Sequence, residues 1–279
     1  MFFFRRVCAW IAVAVVIAAL WLSGSGPALA EEPPYPIGWS PVLELDSLEG
    51  IDARLARALW PEYDNEGLPL LKIEGNERED VSAVNCIELK RLIGDGFHGA
   101  GSNDRAVAQY HLSVCRAMEL LKTATPARQS FVRNFAFDLT TVDILPAMVD
   151  LSPSCDFICR EVVANERRIP LSRFYEILLV QIMSETEMIY WSEDWKIRLV
   201  VLAQADFNAD AIEDLLLLSK GGSISGTGTW AELFLITRSD PNQVLWIVNA
   251  DQYLCPDYQC QPSYDYPEAL SGAFANDSN

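Results

Sequence analysis

Four oxygen-bearing side chains stand close together in "QADFNADAIEDLLLLS", residues 204–219: Asp206, Asn208, Asp210 and Asp214. Calcium takes about six to eight oxygen ligands, and a chain supplies several only when alternate side chains turn inward around a tight loop. Asp206, Asn208 and Asp210 fall at loop positions one, three and five; the carbonyl of Ile212 would serve at seven and Asp214 at nine. A helix-flanked calcium loop needs a bidentate acid at position twelve, and Leu217 stands there. The pattern therefore predicts a loop that feeds a strand. The same residues also suit a turn with no metal, in which Asp and Asn side chains bond their own backbone and Asp214 begins a core strand. Composition leaves both readings open.

Other chemistry has weaker support. The two histidines, His98 and His111, have no metal-ligating partner at helical spacing and read as a loop contact and a packed or surface residue. "GGSISG" at 221–226 places Ile224 where a nucleophile elbow needs serine, and reads as a hairpin. "GDGFHGAG" lacks the preceding strand of a phosphate-binding loop. A carboxylate pair could hydrolyse a glycoside, but 39 acids offer no basis for choosing two.

The elements around these residues begin with a leader. "MFFFRRVCAWIAVAVVIAALWLSGSGPALA" has Arg5 and Arg6, an apolar run from Val7 to Leu22 and an Ala28-x-Ala30 ending, which predicts a cleaved signal peptide over 1–30. The run is shorter than the roughly 20 residues that span a bilayer. The expected location is periplasmic or extracellular, with no membrane span after cleavage. A proline-rich lead-in follows over 31–41. The six cysteines beyond the leader read as disulfides of an exported chain. Cys155 with Cys159 and Cys255 with Cys260 could close small loops; their C-x3-C and C-x4-C spacings fit a zinc knuckle poorly.

From 42 to 185 the pattern reads as a helical domain. Stripes in "VSAVNCIELKRLI" and "RAVAQYHLSVCRAMELLK" predict two helices around a Gly-rich loop, with Cys86 and Cys115 at similar depth and therefore a bridge between them. Thr125 and Pro126 look like the start of another helix; further helices are expected over 141–150 and 155–167. "RFYEILLVQIM", 173–183, fits helix or strand and is assigned to helix. From 186 to 265 short strands, "EMIYW", "WKIRLVVLAQ", "DLLLLS", "TWAELFLITR" and "QVLWIVN", predict an antiparallel meander, and 266–279 reads as a flexible tail. The expected fold is α+β, a helical N-terminal part followed by a small antiparallel β-sheet C-terminal part.

"DFNADAIEDLLLL" resembles the D-x-[DN]-x-D-G-x-x-D loop of FG-GAP and VCBS repeats, the integrin-α type calcium loops between two strands. The resemblance covers about a dozen residues and implies calcium held by Asp206, Asn208, Asp210, Ile212 and Asp214. It departs from the pattern at Ala209 and Ala211, where glycines are usual. "GTW" and "LITR" are similar to a pattern in exported bacterial proteins that implies no activity. A formal charge of −18 argues against nucleic acid as a partner. Two function classes follow: an exported non-enzymatic binding or structural protein with one calcium-stabilised loop and a protein or glycan partner, or an exported hydrolase using a carboxylate pair or a metal-assisted site.

Overall fold

Alternation of side chains along "WKIRLVVLAQA" gives the central strand two buried faces, so it must be covered on both sides. The computed structural model describes residues 35–58, 67–74, 77–132, 135–150, 155–226 and 228–248. The leader, Cys255 and Cys260, the 266–279 segment and most of the proline-rich lead-in lie outside them.

The strands are β1 (Gly38–Trp39), β2 (Leu68–Glu74), β3 (Glu77–Ala83), β4 (His98–Gly99), β5 (Leu179–Ser184), β6 (Glu187–Trp191), β7 (Trp195–Ala205), β8 (Asp214–Ser223), β9 (Thr229–Thr237) and β10 (Trp246–Ile247). A seven-stranded sheet runs β10-β9-β8-β7-β6-β5 with β1 on β7, and a three-stranded sheet runs β3-β2-β4. The pairings are antiparallel. The meander from β6 to β10 is the antiparallel arrangement expected of the short strands. A bulge between Val201 and Ala203 shifts the register of β7 against β8.

The helices are α1 (Ile51–Ala56), α2 (Cys86–Gly94), α3 (Ser102–Thr123), α4 (Cys155–Glu166) and α5 (Leu171–Phe174). Asn85 caps α2 by accepting from the Glu88 N–H at 3.0 Å, and the Glu88 carboxylate returns to the Val84 N–H, a reciprocal cap. Cys86 and Cys115 form the expected disulfide between α2 and α3. Cys159 is also disulfide-bonded.

Two cores sandwich the large sheet. On one face Val200, Leu202, Leu216, Leu218 and Leu233 pack with Cys115, Met118 and Leu121 of α3. On the other, Leu199, Val201, Leu215, Leu217 and Phe234 pack with Leu145, Met148 and Val162.

The expected helical N-terminal part followed by a small sheet is incorrect. The protein is mostly β, its N-terminal region contains a sheet of its own, and its helices are few and scattered along the chain. Three local misreadings produced the error. In β2, Leu68 and Leu70 are buried by period-two alternation, but the partner β3 is a charged strand with no apolar period; Arg78 reaches along it to Asp80 at 2.8 Å. In 173–183 the apolar run is ambiguous alone, and pairing of β5 with β6 decides for strand. Thr125 does not start a helix: its N–H and C=O exchange 3.0 Å hydrogen bonds with Asp206, so tertiary pairing overrides the local signal. Over 141–150 the helices are short 3-10 turns, and 155–167 is helical almost as expected.

Candidate functional site: the acidic loop and its neighbours

Residues 206–213 connect β7 to β8, the strand-to-strand placement that the residue pattern predicted. Asp206 is nearly buried, and its carboxylate closes the turn: Oδ1 accepts from the Ala209 N–H at 2.7 Å and Oδ2 from the Ala211 N–H at 2.9 Å. Asn208 Oδ1 accepts from the Asp210 N–H at 3.0 Å, and Asp210 Oδ1 from the Ile212 N–H at 2.8 Å. The Asn208 amide donates to Asp210 Oδ2 at 2.9 Å. Asp214 lies at the base, fully buried, with Oδ2 accepting from the Phe207 N–H at 3.2 Å.

The loop also fastens a remote segment. Ala211 O accepts from the N–H groups of Arg128 and Gln129, Gln129 O accepts from the Glu213 N–H at 2.8 Å, and the Ser130 hydroxyl donates to Glu213 Oε2. The extended stretch 125–130 is thereby pinned across the β7–β8 connection.

Two alanines occupy the left-handed region: Ala209 at φ 64° and Ala211 at φ 68°. They are the two positions where the resembling loops carry glycine. A side chain in that conformation costs roughly 1–2 kcal/mol, and glycine would return part of the gain through its freer unfolded chain. Ala209→Gly and Ala211→Gly are each expected to stabilise the protein by about 0.5–1 kcal/mol, measured as a higher urea midpoint at unchanged slope; a lower midpoint would refute the strain assignment.

Asp214 is the chemically unusual member. Its Oδ1 has no hydrogen-bond partner among the described residues. Burial pushes the carboxyl up to about 7; the Thr237 hydroxyl and the Phe207 N–H pull it down, and the charges of Asp210 and Asp206 push it further up. Thr237 Oγ1 itself lacks a partner, so its influence on Asp214 is that of a nearby dipole and not of a formed hydrogen bond. Among the described residues, no group of three or more His, Cys, Asp or Glu is disposed to hold a metal ion. Any cation here must draw on Asn208 and a backbone carbonyl as well as the acids, as calcium does and transition metals do not.

A second polar cluster has no signal in the sequence. Asp150 is buried at the end of the 3-10 turn Ala147–Asp150, and burial pushes its carboxyl up to about 7 against the pull of the Tyr190 hydroxyl. By geometry, however, neither Asp150 Oδ2 nor the Tyr190 hydroxyl has a hydrogen-bond partner among the described residues. Nearby, the Tyr175 hydroxyl donates to Oε1 of buried Glu161. These acids are isolated along the chain; only folding brings them under the same face of the sheet.

His111 is buried in α3, its ring edge-on to Tyr110; burial first, then the charges of Lys220 and Arg54, lowers it to about 4. It is neutral at pH 7 and packed, one of the two placements, packed or surface, that the sequence left open. "GGSISG" belongs to the β8–β9 hairpin, closed by the Ser223 N–H donating to Gly228 O at 2.8 Å.

No protein-family model matches the chain, no curated protein is significantly similar to it, and no solved structure matches it significantly.

Proposed function

We propose that this is an exported, non-enzymatic binding or structural protein whose acidic loop is a joint, with calcium as the ion that completes it. The carrying observation is the sealed, unpartnered Oδ1 of Asp214 beside Asp206 and Asp210. A buried carboxylate without a partner is costly, and the group must find either a proton or a cation. The Cys86–Cys115 disulfide supports export. Among the described residues no helix is long and apolar enough to cross a membrane. Of the loop's other carboxylates, Asp206 and Asp210 hold backbone N–H groups and Glu213 holds the Ser130 hydroxyl, so they position chain, not substrate.

To hold the ion, Asp206, Asn208, Asp210, the Ile212 carbonyl and Asp214 would have to draw together around it, because the three acids do not form a metal-binding group as the loop stands; the ion would supply positive charge for the buried acid and no chemistry of its own. For the hydrolase alternative, the two acids pushed furthest up, Asp150 and Asp214, are both buried.

The test is thermal melting at pH 8 with calcium and then with EDTA. Wild type should gain several degrees from calcium, and Asp210→Ala and Asp214→Asn should gain little. At pH 5.5 calcium must displace a proton from Asp214, which weakens binding roughly 30-fold for a carboxyl at about 7. Absence of any calcium effect on wild type at pH 8 would leave the proton as the only partner of Asp214 and end the metal reading.

A further inference from the structure

One half of a sheet face is left open by the helices, and its character differs sharply from the rest of the chain. Along β7 the side chains of Val200 and Leu202 face α3, and two and four residues before Val200 the same alternation presents Arg198 and Lys196. On β8 the series Leu216, Leu218 continues to Lys220. The apolar half is covered. The cationic half forms the floor of an open groove of about 700 Å³, with Ile189 and Trp191 of β6, Met183 of β5 and Ile224 of the hairpin as its apolar lining.

Three cations meet here in a chain of net charge −18. The groove's lining has one carboxylate, Glu187, which is taken by Arg198 at 2.9 Å. Among the described residues Lys196 and Lys220 have no carboxylate partner; their ammonium groups lie 5.2 Å from the Trp191 ring centroid and 5.4 Å from that of Tyr110. Met183 is 50% and Ile224 55% exposed. Gly222 in the floor keeps the middle of the groove free of a side chain. Beside it, β5 ends the sheet, with no strand on its outer side among the described residues, and Leu178 and Leu179 are also exposed.

We propose that this groove binds an extended acidic peptide segment of a partner protein, laid across the sheet face with acidic side chains on Lys196 and Lys220 and apolar side chains on Met183, Ile189 and Ile224. The volume suits a short segment. A second copy of this chain fits badly, because an isologous contact at this patch would set cations against cations. A sugar platform is also disfavoured, since the Lys196 ammonium sits over Trp191. The inference rests on the reading of the chain as a binding protein and deepens it by naming the partner's chemistry.

The experiment uses the full chain and a fluorescein-labelled peptide that alternates Glu with Leu or Tyr, followed by anisotropy at low and moderate salt. Binding is expected to fall at least tenfold in the Lys196→Glu/Lys220→Glu variant and in Ile224→Asp, to weaken with salt, and to be absent for the same peptide with Lys in place of Glu. Melting curves of these surface variants should match wild type, which keeps loss of binding separate from loss of fold. Equal binding of the charge-reversed peptide, indifference to the double variant, or stronger competition by an oligogalacturonate than by unlabelled peptide would each overturn the proposal. Titrations in EDTA and in calcium separate the groove from the acidic loop. Recovery of the peptide intact by mass spectrometry is expected; its cleavage would refute the non-enzymatic reading while leaving the groove in place.

Discussion

The calcium-free protein is expected to melt about 5–10 °C higher at pH 5.5 than at pH 8, the reverse of ordinary acid sensitivity. Asp150 and Asp214 each reach about 7 in the fold, from an ordinary value of 3.8. A carboxyl raised on folding contributes stability while it is protonated and loses it as pH climbs towards and through the folded value, because the unfolded chain releases the proton first. Between pH 8 and 5.5 each acid returns on the order of 2 kcal/mol. His111 works in the opposite direction: lowered to about 4 from 6.5, it favours the fold above 6.5 and surrenders about 1.4 kcal/mol by pH 5.5. The two acids win, by roughly 2–3 kcal/mol. Asp214→Asn and Asp150→Asn should each remove about half of the two acids' slope, and the double variant should leave the His111 slope opposed by Glu232, whose carboxyl burial also raises, with stability falling as pH drops. A wild-type melting temperature that falls steadily from pH 8 to 5.5 would show that these acids are solvated or paired in solution.

The same acids show why parts of this molecule were legible in the sequence and parts were not. The acidic loop was visible because its residues are contiguous: alternate oxygens followed by leucines place the turn between strands, and both left-handed alanines sit where the pattern wants glycine. The Cys86–Cys115 bridge was visible because two helices around one loop have a common origin for counting depth. Nothing local distinguishes Asp150, Glu161, Tyr175 and Tyr190, which meet only because the 3-10 turn, α4 and β6 pack on one face of the sheet. The strands β2, β3 and β5 were lost for a related reason. Edge and half-exposed strands bury only one side, so Glu77, Arg78, Glu79 and Asp80 carry no apolar period, and their pairing partners supply what the residues omit. The groove sits between these cases. "WKIR" sets two cations at strand spacing ahead of "LVVL", a signal that becomes readable once the strand and the end of α3's cover are known.

Loss of the Cys86–Cys115 disulfide is expected to cost about 3–4 kcal/mol, the largest effect of any change at a single bond outside the sheet core. The bridge spans a sequence separation of 29, and closing a loop of that length in the unfolded chain accounts for roughly 3.6 kcal/mol on the chain-entropy model. Local packing adds to the consequence. Both cysteines are fully buried with Leu89, Met118 and Leu121, so Cys→Ser leaves two polar hydroxyls in an apolar setting, whereas Cys→Ala at both positions removes the bridge with little burial penalty. The double alanine variant therefore isolates the cross-link, and its melting temperature should fall by about 6–16 °C. Hydrogen exchange should show where the stability was held: amides of α2 and of the β2–β3 hairpin should exchange faster, because α2 is joined to β3 through Val84 and Asn85 and packs on α3. Amides of β7 and β8 keep their second core from Leu199, Leu217 and Phe234 and should change least. Uniform loss of protection across both sheets would instead mean that the two cores unfold as one cooperative unit, with the small sheet as an integral part of the large one.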